Sequence, residues 1–377
     1  MPSTICDTCA MRYTRMPIEV ESPEEGGRGQ IIRSNLVESS IADRSLSQLN
    51  LSIPDMKLQY TGHRGSEHLR QLVISEEPSL NPENVLITTG TAGALFIAAT
   101  SLLTSQDHIL ISRPNYAINL ATPRAIGCEI GYMELTFDNG FRIDLAALEA
   151  AIKPNTRLIS LTNPHNPSGQ TMTCDELESV AKLAKNKGCY LLVDEIYKDI
   201  TFGEDLPIAA TLGEHVISVG SVSKCFGIPG TRIGWLINTS DRLMDTFLAA
   251  KEQMNICGSV MDEWIAENVL SQRQTLLPAT SIDVRARLDM VAAWVEKEEY
   301  LDWIQPQAGM VCIFRLKKIP TDGAAAFYDR LAEKYGVWVA PGRWFEMDDI
   351  YFRVGYGWPD LKDLEYGLDK ISAALHE

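Results

Sequence analysis

No stretch of the 377-residue sequence approaches the roughly 18 consecutive apolar residues that cross a bilayer. The first thirty residues, MPSTICDTCAMRYTRMPIEVESPEEGGRGQ, lack the hydrophobic centre of a secretory signal. A soluble, cytoplasmic protein with no membrane partner is therefore expected. Basic residues are in short supply: 34 Lys and Arg stand against 50 Asp and Glu, a formal charge of −16. A surface of that sign repels polyphosphate backbones, so no nucleic-acid partner is expected. Among eight cysteines there is one C-x-x-C, Cys6 with Cys9. A zinc site needs a second such pair, and a thioredoxin-like site needs a strand before the motif and a helix after it. Neither accompanies it, so no metal and no redox role are expected. Other cysteines sit in apolar stretches such as GCYLLVDE and MVCIF and read as reduced, buried thiols. Internal repeats and low-complexity tracts are absent too, and an ordinary 45% hydrophobic and 22% charged composition excludes disorder and fibres.

What is present has a clear organisation. From about Val85 to Asn238, short apolar runs alternate with longer amphipathic ones. The runs VLITT, HILIS, EIGYMEL, RLISLT, YLLVDE, HVISVGS and RIGWLIN predict a mostly parallel seven-stranded sheet with helices on both faces. In DELESVAKLAKNKG, Leu177, Val180, Ala181 and Ala184 share one helical face, Asp175 lies in the first turn, and Gly188 stands at the C-cap. After Asn238 the texture changes to long helical stretches, one of them VRARLDMVAAWVEKEEYL, followed by strands MVCIFRL, VWVAPG and IYFRVGY and a closing helix. The expected division is a large domain over 46–255 and a smaller α+β domain over 256–377. Residues 1–45, with the Gly- and Glu-rich ESPEEGGRGQ, cannot form a core alone and are expected to pack on the small domain.

Five short stretches fall where strands end, which is where open α/β sheets bind ligands. In VLITTGTAGALF, Gly90, Thr91 and Ala92 open a helix with small side chains, which fits either an anion site made of free N–H groups or a plain tight turn. Tyr116 in RPNYAIN follows a Pro-Asn turn and could lie against a planar ring or simply pack. LTNPHNPSGQ contains two Asn-Pro steps that force an extended loop able to aim the Asn166 amide at a ligand oxygen. Asp194 ends the apolar strand of LLVDEIY, where a buried carboxylate needs a partner, either a helix-terminal amide or a protonated ring nitrogen. Lastly, SVSKCFGIPGTRIGW sets Lys224 among small hydroxylated residues and Arg232 eight positions on.

Together these stretches resemble the class I/II aminotransferases of the fold-type I family of pyridoxal 5′-phosphate (PLP) enzymes. S-x-S-K with its following Arg, N-P-x-N-P-[ST]-G and the strand-end D-x-x-Y occur in the family's order, with 28 residues from Asn166 to Asp194 and 30 from there to Lys224. The resemblance runs from about Asn35 to the C-terminus. It implies the PLP-dependent transferase fold, PLP as cofactor, an amino acid and a 2-oxo acid as substrates, and a ping-pong transamination. Under it, Lys224 resembles the residue that holds PLP as a Schiff base and moves protons, and Asp194 the carboxylate that keeps the pyridine nitrogen protonated. Tyr197 and Asn166 resemble the pair that hydrogen-bonds the ring's phenolic oxygen. Gly90, Thr91, Ala92, Ser221, Ser223 and Arg232 resemble the phosphate cradle, and Tyr116 the aromatic stacked on the ring. Arg353 in YFRVGYG resembles the clamp on the substrate α-carboxylate, with Asn166 beside it. Tyr60 in YTGHRGSEH resembles a residue that reaches the partner subunit's cofactor, which implies a homodimer with shared active sites.

One departure bears on substrate. The family carries a glycine-containing N-terminal segment that touches the substrate, whereas SNLVESSIADRSL has no glycine from Ser34 to Leu46. Ser168 also stands where threonine is commoner. A second reading therefore keeps the cofactor and changes the outcome: a lyase or cyclase acting by elimination, replacement or cyclisation. A regulatory, DNA-binding relative of the family is not expected, because fewer than fifty residues precede the matched region and they carry no helix-turn-helix pattern. The stretch from Glu24 to Ser40, with Trp344 and Phe345, is expected to line the substrate side chain.

Overall fold

The computed structural model describes residues 11–23, 25, 32–320 and 323–377; Cys6, Cys9 and Glu24 lie outside the described residues. In chain order the strands are β1 (Ser34–Asn35), β2 (Val85–Thr89), β3 (His108–Arg113), β4 (Glu129–Glu134), β5 (Thr156–Thr162), β6 (Tyr190–Asp194) and β7 (Val216–Ser221). They continue with β8 (Ile233–Ile237), β9 (Leu301–Trp303), β10 (Val311–Leu316), β11 (Val337–Trp338), β12 (Ala340–Pro341) and β13 (Tyr351–Gly355).

The seven expected strands form one sheet in the order β2-β8-β7-β6-β5-β3-β4. All neighbours pair in parallel except β8, which runs against both β2 and β7. Every residue of β7 and β8 is buried, because helices cover both sheet faces and each strand must be apolar on both sides. The helix Cys174–Lys187 buries the four residues that its sequence period selects. Thr173 and Glu176 cap its start reciprocally, and Gly188 ends it at φ +71°. The helix Gly90–Leu102 has nine of its thirteen residues buried, so it is a core element whose first turn cannot drift. That first turn lies at the end of β2, beside the ends of β7 and β8.

The smaller sheet has the order β12-β13-β10-β9 and is antiparallel throughout. The N-terminal stretch pairs with its neighbourhood: β1 runs parallel to β11, and the Gly355 N–H donates to Leu36 O at 2.7 Å. From there the chain crosses to the large sheet, where the Ile41 N–H donates to Lys224 O at 3.2 Å. The helix Val260–Ser271 packs on Glu67–Val73 and on β8. Between the two sheets, the Arg124 guanidinium grips the Glu346 carboxylate, with Nη2 at 2.9 Å from Oε2.

Two expectations need correction. The helix expected to run through Leu301 spans Arg273–Val295 and stops, because Leu301–Trp303 is drawn into the small sheet. There the Trp303 ring stacks on Phe314 at 5.9 Å and 9° between planes, a pairing that overrides the helical local pattern. The cysteines are free where described, but only Cys189, Cys225 and Cys312 are buried; Cys128, Cys174 and Cys257 are partly open. Among the described residues no helix is long and apolar enough to cross a membrane.

Candidate active site

The candidate site lies at the carboxyl ends of the parallel strands, where Arg353 of β13 meets Asn166. Asp194 ends β6 with 3% of its surface exposed. Burial pushes its pKa up to about 7, against the opposing pull of the Ile196 N–H at 3.3 Å, the Asn119 side chain and the Lys224 charge. A carboxylate this poorly solvated is stabilised strongly by a cation placed against it. Lys224 follows β7, half-buried. Desolvation lowers its pKa; Glu38 and Asp43 oppose that shift, while Arg353 and Arg232 reinforce it. Its amine is thus easier to deprotonate than an ordinary lysine's, as nucleophilic and proton-transfer roles require.

Anion-binding groups cluster at one end. The helix Gly90–Leu102 has no side-chain N-cap, and Thr91 Oγ1 is buried with no hydrogen-bond partner among the described residues. Arg232 lies against that same turn: a Cβ added to Gly90 would sit 2.6 Å from its Nη2. Glycine is required at 90 for this reason and for its φ of +65°. Arg232 itself adopts φ +52°, held by Nη1 donating to Pro229 O at 2.7 Å. Ser221 and Ser223 are buried nearby, with the Ser223 N–H donating to Ser221 Oγ at 3.2 Å. Ala92 is half-buried in the helix's first turn.

The opposite end is built around Arg353, 2% exposed on β13. Its Nη1 donates to Asn166 Oδ1 at 2.9 Å, its Nη2 donates to Val37 O, and its guanidinium lies 4.9 Å from the Phe345 ring centroid. Its Nε has no partner among the described residues. Tyr197 is buried, its pKa pushed upward by burial and held back by Arg353 and the Ser39 hydroxyl. Tyr116 caps the helix Ala117–Ile126 from the end of β3; burial raises its hydroxyl to about 12, and it senses Arg353, Arg232 and Asp194 at once.

Lys224, Asp194, Tyr197, Asn166, Tyr116, Arg232, Arg353, Ser221, Ser223 and the Gly90–Ala92 turn are thus brought to one cleft. Tyr60 is not: it is 81% exposed on an outer segment. Several residues here escaped sequence reasoning. Asn119, one turn into the helix after Tyr116, reaches Asp194, and its Nδ2 donates to Asn115 Oδ1 at 3.0 Å. Asn115 Oδ1 also accepts from the Tyr116 N–H at 2.7 Å and from Thr162 Oγ1 at 2.9 Å, so it ties the ends of β3 and β5 together. The signal was available in RPNYAIN, where one asparagine precedes the helix cap and a second stands in the first turn, four residues on. Val37 and Ser39 lie in the stretch expected to line the substrate, but nothing in the sequence pointed to the Val37 carbonyl on Arg353 or the Ser39 hydroxyl on Tyr197.

An orphaned Thr91 hydroxyl, a bare helix N-terminus under an arginine and a buried carboxylate suited to a cation fit a group with a phosphate at one end and a protonated heterocycle at the other. A family model for aminotransferases of class I and II matches residues 51–371. The chain belongs to that family. Its members use PLP, and this protein is a PLP-dependent aminotransferase with the type I fold. The chain is 28% identical to the arginine–pyruvate transaminase of Pseudomonas aeruginosa over 301 residues, covering 76% of this chain and 74% of that protein. It is also 28% identical to the capreomycidine synthase of Streptomyces vinaceus, covering 82% and 83% respectively. The aminotransferase fold is matched by a PLP-dependent aminotransferase from Streptococcus suis at a TM-score of 0.89 and 27% identity, over 97% of this chain and 98% of that one.

Proposed function

We propose that this aminotransferase passes the amino group of an L-amino acid, by way of bound PLP, to a 2-oxo acid in two half-reactions that share one site, with Lys224 moving the protons. The observation that carries the reading is the placement of Lys224, its basicity lowered by burial, within electrostatic reach of both the buried Asp194 carboxylate and the buried Arg353 guanidinium. When bound, PLP supplies an aldehyde for the lysine amine and a ring that accepts the electrons of a broken Cα–H bond.

The residues around it have separate tasks. Gly90–Ala92 N–H groups, the Thr91, Ser221 and Ser223 hydroxyls and the Arg232 fork would hold the phosphate. Asp194, oriented by Asn119 and the Ile196 N–H, would hold the proton of the ring nitrogen. Asn166 and Tyr197 would donate to the phenolic oxygen, and Tyr116 would pack against the ring. Arg353 grips the substrate α-carboxylate, and its bonds to Asn166 and Val37 fix where that carboxylate lies. Lys224 Nζ takes the proton from the substrate Cα.

Glu38, half-buried on the segment between Val37 and Ile41, faces Lys224 and Arg353 electrostatically. The arginine-named relative puts amino donors with cationic side chains first. A second reading, cyclisation or elimination on the same cofactor, is favoured by the similarity to capreomycidine synthase. We further propose a cytoplasmic homodimer in which the partner subunit's Tyr60 reaches the cofactor's phosphate. Exposed Ile53, Leu58, Tyr60, Met254 and Ile256 support it as an apolar face, and six free thiols support a reducing compartment. For substrate closure we keep a three-part division, 1–45, 46–255 and 256–377.

The test is a single half-reaction. Holoenzyme mixed with one amino acid and no acceptor is expected to change the absorbance of its cofactor and release one 2-oxo acid per site. Lys224→Ala is expected to lose the yellow absorbance and about two to four decades of turnover or more. Silence across a broad donor panel would overturn transamination, and a cyclised product or ammonia formed without acceptor would install the second reading.

A further inference from the structure

His165 is 4% exposed, lies in the loop that carries Asn166, and has no part in the chemistry above. Its Nε2 is 2.8 Å from Pro114 O and its Nδ1 is 2.7 Å from Ser168 Oγ. A carbonyl can only accept, so Nε2 carries the proton and donates to Pro114. Nδ1 therefore keeps its lone pair and accepts from the Ser168 hydroxyl. That hydroxyl in turn accepts from the Gln170 N–H at 3.2 Å. The chain of donors runs one way, from Gln170 through Ser168 and His165 to Pro114, and every polar atom of the imidazole is used. Burial agrees with a neutral ring by holding its pKa down to about 4.

The two ends of this chain matter because of what they border. Pro114 precedes Asn115, whose Oδ1 accepts from the Tyr116 and Asn119 nitrogens. His165 immediately precedes Asn166, whose Oδ1 accepts from Arg353. No strand pairing joins the β3 and β5 loops at this level, since the β3–β5 register ends at Ile111 and Ser160. Beyond it the joins are the Thr162 to Asn115 bond and the imidazole.

We propose that His165, as the neutral Nε2–H tautomer, is a positioning residue that locks the Tyr116 and Asn119 loop to the Asn166 and Arg353 contact. The ring-stacking and carboxylate-binding sides of the cleft then keep one spacing. The proposal rests on the aminotransferase reading for what the two sides hold, but the coupling is a property of these side chains alone.

The experiment compares His165→Leu, His165→Gln and Ser168→Ala as holoenzymes. Three readouts are taken: affinity for an α-methyl amino acid, which binds but has no α proton to lose; the pH midpoint of the cofactor's absorbance titration; and the thermal midpoint. Loss of the coupling is expected to weaken the α-methyl ligand about tenfold in His165→Leu and to displace its absorbance midpoint. His165→Gln, which keeps an N–H donor with similar reach, is expected to stay within about threefold of the parent protein. Ser168→Ala is expected to fall between, since it frees Nδ1 but leaves the Pro114 bond. Unchanged ligand affinity and absorbance midpoint in His165→Leu overturn the proposal, even if its thermal midpoint falls, because that result assigns the histidine a purely structural role. Should His165→Leu not fold, unchanged readouts in Ser168→Ala overturn it in the same way. A parent protein that shows no half-reaction with any donor instead removes the aminotransferase reading and leaves the absorbance comparison intact.

Discussion

At Asp194 a carboxylate with an ordinary pKa of 3.8 is carried to about 7 by burial. The cofactor-free folded protein therefore keeps a proton there between about pH 4 and 7 that the unfolded chain has released. Linkage then fixes the sign: this group's contribution to stability is complete below about pH 4 and is lost as pH rises through 7. Glu195, also raised to about 7 by burial, adds the same slope. In thermal melts of the cofactor-free protein, Asp194→Asn is expected to flatten the fall in midpoint between pH 5 and pH 8, leaving the part due to Glu195. Equal slopes in the two proteins would mean that Asp194 is already ionised without its partner. In the holoenzyme a cation against the carboxylate removes the penalty, so cofactor binding is expected to tighten from pH 5 to 8 in the parent and less so in Asp194→Asn.

The proposed phosphate end of the site depends on one packed turn. Gly90 at φ +65°, Arg232 at φ +52° and Gly234, where an added Cβ would fall 2.4 Å from the Gly90 carbonyl carbon, form a single close contact between the helix start and β8. Gly90→Ala places a methyl group on Arg232 Nη2 and forces a left-handed alanine, a backbone cost of about 1–3 kcal/mol. Displacing the guanidinium is expected to weaken PLP roughly tenfold or more, measured by equilibrium dialysis. A change under twofold would show that Arg232 can shift without losing the phosphate. The helix behind this turn makes the contact rigid, since it is buried almost all round.

At the scale of the whole molecule, five exposed apolar residues, Ile53, Leu58, Tyr60, Met254 and Ile256, fall on two neighbouring segments. Lys251 Nζ donates to His63 O, and the His63 ring meets Glu252, which joins the stretch carrying Tyr60 to the stretch carrying Met254 and Ile256. A face with Leu58 77% and Tyr60 81% exposed is a poor surface for a lone chain. Sedimentation at micromolar concentration is expected to give a dimer, and Leu58→Asp with Ile256→Asp is expected to shift it toward monomer and to lower cofactor retention. A parent protein that sediments as a monomer with full cofactor occupancy would remove the shared-site reading.

The strand runs, the capped helix Cys174–Lys187 and the order of Asn166, Asp194 and Lys224 were all legible in the chain, because each is a local pattern of burial or turn chemistry. Periodicity failed at the end of the stretch running to Leu301, which read as helix until a distant strand recruits Leu301–Trp303 into the small sheet. The cleft's polar wiring was less legible. Asn119 on Asp194, Val37 on Arg353, Ser39 on Tyr197 and His165 on Pro114 join segments up to 316 residues apart. What the linear order of residues determined is the family and the cofactor chemistry. What tertiary structure alone decided is how acidic or basic each group is and which neighbour orients it, because desolvation and hydrogen-bond geometry exist only once remote segments exclude water together.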